Sequence, residues 1–302
     1  MDRDIEIAGY LGVLFLGVIL QKLGLVHGEL TRVLGRMLIR FIYPALIFTS
    51  ITKNFTSSSL IGLWSLPIGA FLIMAGGATL GSFISRLTSF STPREQRTFQ
   101  FHCTMSNYAY LPLAIAKYLW GEKGMSYVIL STVGSEIALW ALAVPALRKG
   151  ASTISGIISP PIIALFFSIA FVLADRKITN GTFANLHYFL GKVGLGAIPV
   201  AMFILGCHLG KTTSGRFSRI HFHLLTHRLL LVPILTLTAL QLVHLPSSVE
   251  KTILLLGIMP SSIIAVVVSE LFGGDPDLAA KHVLYSHVIS LISIPLWLQI
   301  LI

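Results

Sequence analysis

Met105-Ser-Asn-Tyr-Ala-Tyr-Leu-Pro112 sets a serine, an asparagine and a proline in the middle of an apolar run from 97 to 119. Proline lacks a backbone donor and its ring clashes with the preceding turn, so the spacing predicts that a helix here opens at Pro112. In hydrocarbon, freed backbone groups cost several kcal/mol, and a break is tolerated only against protein or a wet cavity. Ser106 and Asn107 are the side chains at hand to satisfy that backbone or to reach a ligand. A second interruption, Gly257-Ile-Met-Pro260-Ser-Ser262, lies in the same way inside the run 249–272.

Composition explains why these runs must be read in lipid. The 302 residues are 54% hydrophobic and only 11% charged, with a mean hydropathy of +0.83, which excludes an ordinary soluble domain. Hydropathy and turn signals predict an all-α polytopic protein with ten spans, near 5–26, 33–52, 60–85, 97–119, 124–147, 152–174, 187–211, 224–245, 249–272 and 277–301. The formal charge of +10 arises mostly in short loops, which reads as topology rather than nucleic-acid binding. Most Lys and Arg, including Arg32, Arg36, Arg94, Arg97, Arg148, Lys149, Arg216 and Arg219, fall after odd-numbered spans, so both termini are expected outside the cytoplasm. The sequons at Asn54 and Asn180 lie on that outer side. The acidic start, Met1 to Glu6, is followed by no small-residue cleavage site, and the first segment is expected to stay as a helix. Cys103 and Cys207 fall within spans and show no metal or disulfide spacing.

Features recur at an offset of about 155 residues. Pro44-Ala-Leu-Ile-Phe48 answers Pro199-Val-Ala-Met-Phe203, Met105-Ser-Asn107 answers Met259-Pro-Ser261, and Tyr127-Val-Ile-Leu-Ser131 answers His282-Val-Leu-Tyr-Ser286. Five spans per unit is an odd number, so the second copy (152–302) enters the membrane opposite to the first (1–147). Inverted repeats with broken helices at the midplane are a frequent construction of secondary transporters. Half-helix N-termini carry partial positive charge, and facing breaks would cradle a carboxylate or other anion.

Glu136 is the one acidic residue that these spans place near a helix centre, and an intramembrane carboxylate is a functional candidate by default. If it exchanges protons it couples them to substrate movement; otherwise it joins helices. Lys117 is expected either to pair with an anionic substrate or with Glu136, or to extend to the headgroups. Arg40 reads as an interface anchor, and Gln21 and Gln241 as interhelical hydrogen-bonding residues. His221, His223 and His227 resemble a short metal cluster but have no evident fourth ligand, so no metal is expected. His208, Glu270 and His282 sit toward the cytoplasmic edge and are candidates for a proton path.

The sequence resembles the auxin efflux carrier family over nearly its whole length, through Tyr43-Pro-Ala-Leu-Ile-Phe48, Asn107 with Pro112-Leu-Ala, Ser159-Pro-Pro-Ile-Ile-Ala164, Met259-Pro260 and Ser293-Ile-Pro295-Leu. The resemblance implies a fold similar to bile-acid symporters, with scaffold helices 1, 2, 6 and 7 and a transport domain of helices 3–5 and 8–10. Helices 4 and 9 would cross at the substrate site. Where the family commonly has glycines between the asparagine and the proline of span 4, this chain has Tyr108, Ala109, Tyr110 and Leu111, implying a smaller or more aromatic pocket. The short loop from Arg148 to Ser152 lacks the long insertion of many plant members.

The expected substrate site therefore gathers Ser106, Asn107, Tyr108, Tyr110, Pro112, Met259, Pro260, Ser261 and Ser262, with Glu136 and Lys117 for coupling. The function expected is a carrier of small organic anions such as carboxylates or auxin-like acids, working by alternating access in the plasma (inner) membrane. A homodimer is implied by the resemblance. A sodium-coupled symporter or cation antiporter of the same architecture, or a membrane ligand sensor, remain open alternatives. H+ or Na+ are the candidate coupling ions, and no cofactor is expected. Enzyme motifs and phosphate-binding loops are absent from the sequence.

Overall fold

A computed structural model describes residues 2–148, 159–175, 181–211 and 217–301. Lys149 and the rest of the loop to Ser152, the sequon residue Asn180, Arg216 and the side chain of Glu270 lie outside what it describes. The helices run α1 (Asp2–Lys22), α2 (Gly28–Met37), α3 (Tyr43–Asn54), α4 (Ser57–Gly62), α5 (Ser65–Ser85), α6 (Pro93–Thr104), α7 (Tyr110–Ala138) and α8 (Val144–Leu147). They continue with α9 (Pro160–Leu173), α10 (Thr182–Gly194), α11 (Ala197–Lys211), α12 (Arg219–Thr226), α13 (Val232–Gln241), α14 (Ser247–Gly257), α15 (Ala265–Phe272) and α16 (Pro276–Leu301). Among the described residues there is no strand, only an isolated antiparallel bridge between Ser106 and Ser261.

Among the described residues, six helical runs are long and apolar enough to cross a membrane: Gly28–Asn54, Ser57–Ser85, Tyr110–Leu147, Thr182–Lys211, Arg219–Gln241 and Pro276–Ile300. Gly12–Lys22 and Pro160–Leu173 are shorter apolar helices. The chain is thus an all-helical, multi-pass membrane protein. The interrupted segments escape a length criterion for a simple reason. With 11 residues in α14 and 8 in α15, a rise of about 1.5 Å per residue leaves each half far short of a core about 30 Å thick.

Proline shapes several of these runs. Three π-turns, Leu38–Ile42, Leu139–Ala143 and His227–Leu231, each end two residues before a proline: Pro44, Pro145 and Pro233. A proline ring displaces the carbonyl four residues back, and a locally widened turn accommodates it without ending the helix. Within α7, Gly121 leaves helical geometry at φ 68° and ψ −160°, a conformation that suits glycine, and so turns the chain where the sequence places a loop between two spans.

The chain forms two compact units. Unit 1 comprises residues 1–65, 109–133 and 157–211, and unit 2 comprises 66–108, 134–156 and 212–302. In unit 1, α1 and α11 pack at close range: a Cβ on Gly206 would strike the Leu14 carbonyl, and one on Gly210 would lie 2.7 Å from that of Val18. Small residues at such spacing let membrane helices approach at the backbone. Phe48 of α3 packs its ring on Phe167 and Phe171 of α9 and on His187 of α10, with centroids 5.7, 5.9 and 5.8 Å away.

In unit 2, α6 starts from a sequence-encoded capping box. Thr92 accepts from the Glu95 amide and Glu95 reaches back, with Pro93 at the first helical positions. Phe99 and Cys103 of α6 form a buried cluster with Ile220 and Leu224 of α12 and Leu278 of α16. Gly77 of α5 lies against the end of α6, where a Cβ would sit 2.5 Å from the Cys103 carbonyl.

Candidate functional site

Chain interruptions at 105–109 and 258–264 both belong to unit 2, except for Ala109 at the start of a unit 1 segment. The first opens ahead of Pro112, not at it. Pro112 is the third residue of α7, and in a first turn the absent N–H costs nothing because that donor has no helical acceptor. The expectation that the helix opens at Pro112 is corrected accordingly: proline starts the second half-helix, and Met105 to Ala109 form the break.

The two breaks satisfy one another. The Asn107 amide donates to the Pro260 carbonyl at 2.7 Å, and the Ser262 amide donates to the Met105 carbonyl at 3.3 Å. Ser106 and Ser261 are thereby opposed as an antiparallel pair. Two short extended segments thus supply to each other the partners that hydrocarbon cannot. The Ser261 amide adds a contact of 3.4 Å to the Ser286 hydroxyl of α16.

Side chains around the pairing are almost fully enclosed. Asn107 is 3% exposed and its amide nitrogen faces His287 Nε2 at 3.4 Å. His287 Nδ1 is 2.8 Å from the Val283 carbonyl, so that nitrogen carries the proton and Nε2 accepts from Asn107. The Ser261 hydroxyl meets His282 Nε2 at 2.8 Å. Ser106 Oγ is buried with no partner. Glu136, partly buried on α7, accepts a 2.8 Å hydrogen bond from the Tyr108 hydroxyl, which ties the helix-centre carboxyl to the first break.

Of the residues expected at the site, Ser106, Asn107, Tyr108, Met259, Pro260, Ser261, Ser262 and Glu136 lie together in unit 2, whereas Tyr110, Pro112 and Lys117 belong to unit 1. Tyr110 pairs its ring with Tyr43, centroids 5.8 Å apart. Lys117 Nζ lies 3.3 Å from the Tyr10 hydroxyl and 6.0 Å from the centre of its ring. Lys117 and Tyr10 line a groove of about 400 Å³ with Gly9, Val13, Leu195 and Pro199. Lys117 therefore has a tyrosine partner in its own unit, where the sequence offered substrate, Glu136 or headgroups.

The three histidines near the start of span 8 turn in different directions. His221 Nδ1 meets the Ser218 hydroxyl at 2.8 Å, His223 Nδ1 meets Thr88 at 2.6 Å, and His227 Nε2 meets the Gly77 carbonyl at 2.9 Å. Among the described residues no group of three metal-binding side chains is assembled. His282 is fully buried with its Nε2 on the Ser261 hydroxyl of the second break, and His208 belongs to unit 1.

Arg228 was not singled out by sequence. It sits in the π-turn before Pro233, is 0% exposed, and donates through Nη2 to the Gly257 carbonyl at 3.3 Å, the last residue of α14 before the break. Its Nε and Nη1 have no partner. A cation suits the C-terminal carbonyls of a helix, yet one hydrogen bond leaves most of the guanidinium desolvated without compensation. Its sequence signal was position: an arginine four residues inside the apolar run 224–245.

Paired interruptions within apolar helices, lined by polar side chains, mark a membrane transporter. The membrane transport protein profile matches residues 7–153 and 146–298, and the chain belongs to this family, that of the auxin efflux carriers. An uncharacterized transporter of Methanocaldococcus jannaschii is 23% identical over 94% of each chain. Protein PIN-LIKES 1 of Arabidopsis thaliana is 22% identical over 92% of this chain and 74% of its own length. An uncharacterized transporter of Methanothermobacter thermautotrophicus is 24% identical over 100% of this chain and 99% of its own. The family and these relatives are transporters, not enzymes.

Proposed function

We propose that this protein is a secondary carrier of small organic anions, with the carboxylate class as its substrates and the paired breaks as its binding site. The observation that carries this reading is Arg228. A buried guanidinium with two unsatisfied nitrogens, fixed to the last carbonyl before the second break, is a standing receptor for an anionic group. Asn107, Ser106, Ser261 and Ser262 of the two breaks supply neutral donors and acceptors, and Tyr108 and Met259 are assigned as the apolar wall.

The architecture proposed is ten spans in two inverted five-helix repeats, 1–147 and 152–302, that carry substrate by alternating access. Its support is the equivalence of the two breaks and the division of the family match into two stretches meeting at 146–153. Helices 1, 2, 6 and 7 are assigned as scaffold and helices 3–5 and 8–10 as the moving part. A homodimer through the scaffold, in the plasma membrane with both termini outside the cytoplasm, completes the reading.

The test is substrate-evoked current from proteoliposomes on a solid-supported membrane, challenged with mono- and dicarboxylates, indole acids and their neutral amides. Current with acids and none with amides is the expected result. Current with amides and none with acids would refute the anionic substrate class.

A further inference from the structure

Unit 2 buries more histidine than its pairing of the breaks uses. His102 on α6, His221 on α12 and His282 on α16 are each less than 4% exposed. The rings of His102 and His282 lie 4.7 Å apart between centroids at 80°, and those of His282 and His221 lie 6.4 Å apart at 38°. Both nitrogens of His102, Nδ1 of His282 and Nε2 of His221 have no hydrogen-bond partner. An unsatisfied buried nitrogen costs about 1–3 kcal/mol, and four of them on three adjoining rings call for a reason beyond packing.

The remaining nitrogens give the cluster two ends. His221 Nδ1 reaches the Ser218 hydroxyl at 2.8 Å, at the partly exposed residue that precedes α12. His282 Nε2 reaches the Ser261 hydroxyl at 2.8 Å, inside the second break. A chain of titratable rings therefore runs from the start of α12 to the proposed substrate site, entirely within one compact unit.

We propose that His221 and His282, with His102 beside them, form the proton path that couples H+ movement to transport, which rests on the carrier reading above. Each imidazole gains a proton at one nitrogen and releases one from the other, so the ring charge is unchanged by a passage. The 6.4 Å between the His221 and His282 rings suits transfer through one bridging water, and His102 is in direct contact with His282. Other charged or titratable groups around the cluster set its field. Lys281 and Tyr285 of α16 flank His221, the latter 5.1 Å from it between centroids. His287 of the same helix, Cys103 of α6, and His227 and Arg228 of the π-turn stand behind His282 and His102. Among the described residues no carboxylate forms an ion pair with any of these histidines. The path thus differs from Glu136, whose partner is Tyr108.

Proteoliposomes loaded with a pH-reporting dye test the proposal, using an acid found active by current. Two quantities are read: the pH change evoked by substrate, and counterflow exchange at equal pH, which needs no net proton. Wild type should show both. His221→Gln and His282→Gln should each lose substrate-evoked proton flux by at least about tenfold. His221→Gln should keep counterflow, and His223→Gln should keep both activities, since His223 faces Thr88 off the path. Counterflow without proton flux in wild type, or full proton flux in both path variants, would overturn the proposal and leave the carrier reading intact. Absence of counterflow in wild type would overturn both. Loss confined to Glu136→Gln would move coupling to that carboxyl and likewise refute the histidine path.

Discussion

In unit 1 buried and half-buried polar side chains close on near neighbours: Ser50 on Ser126 at 2.9 Å, Thr52 on His187 at 2.9 Å, Thr49 on the Ala45 carbonyl at 2.8 Å. Its helices meet at glycines and at the stacked rings of Phe171 and Phe183. Unit 2 holds nearly all of the buried side-chain nitrogens and oxygens that lack a partner, on Ser106, Ser135, His102, His221, His282, Arg228 and others. The two units are comparable in their apolar cores, so the difference is not one of hydrophobicity. A region whose polar groups are satisfied is built to persist, and one that keeps them waiting is built to receive something.

That contrast is broken most severely by Asn107→Ala. Uptake of the active acid should be abolished while thermal unfolding in detergent stays near wild type, because the backbone pairing of Asn107 with Pro260 survives the loss of its side chain. Normal uptake in this variant would remove the breaks from the site. Arg228→Gln comes next. KM for acids should rise by about tenfold or more, in keeping with the loss of a charge-assisted hydrogen bond, with Arg228→Lys recovering part of it. An unchanged KM would reduce Arg228 to a cap on α14.

The unit 1 side of the comparison predicts effects on stability instead. Gly206→Leu drives a side chain into the Leu14 carbonyl, and should destabilise the fold by about 1–3 kcal/mol, as overpacking does; a lowered unfolding midpoint checks it. Smallest of all is Lys53→Ala. Its 2.6 Å pair with Glu122 is well exposed on both sides, so solvent screening should hold the loss below about 1 kcal/mol. A larger drop would show that this pair holds the turn at Gly121 in place.

Sequence exposed the breaks because proline, glycine and small polar residues stand out within apolar runs. It misplaced the first opening by several residues, since it treated Pro112 as a disruption rather than as the residue that starts a helix cheaply. The pairing of Ser106 with Ser261 is a contact between distant segments and has no local signature. Arg228 carries no sequence signal beyond its position near a span end, where charged residues are common, and its full burial in the π-turn before Pro233 comes from tertiary packing. The distance of His282 from its helix end is legible in the sequence, but its burial is a product of tertiary packing and is not. Lys117 and Glu136 stand out in the sequence as ionisable residues within apolar runs, while their tyrosine partners, Tyr10 and Tyr108, are set by tertiary packing.

Site-directed labelling tests most directly whether substrate binds at the paired breaks or in the groove of unit 1. With Cys103 and Cys207, both buried and free, replaced by serine, a single cysteine is introduced by Ser261→Cys or, in a second protein, by Val13→Cys. Each is reacted with a small thiol reagent in membranes, with and without the acid that evokes current. Substrate should slow labelling of the Ser261→Cys protein and leave the Val13→Cys protein unchanged. Protection of the Val13→Cys protein alone would place the substrate in the groove beside Lys117 and contradict the account.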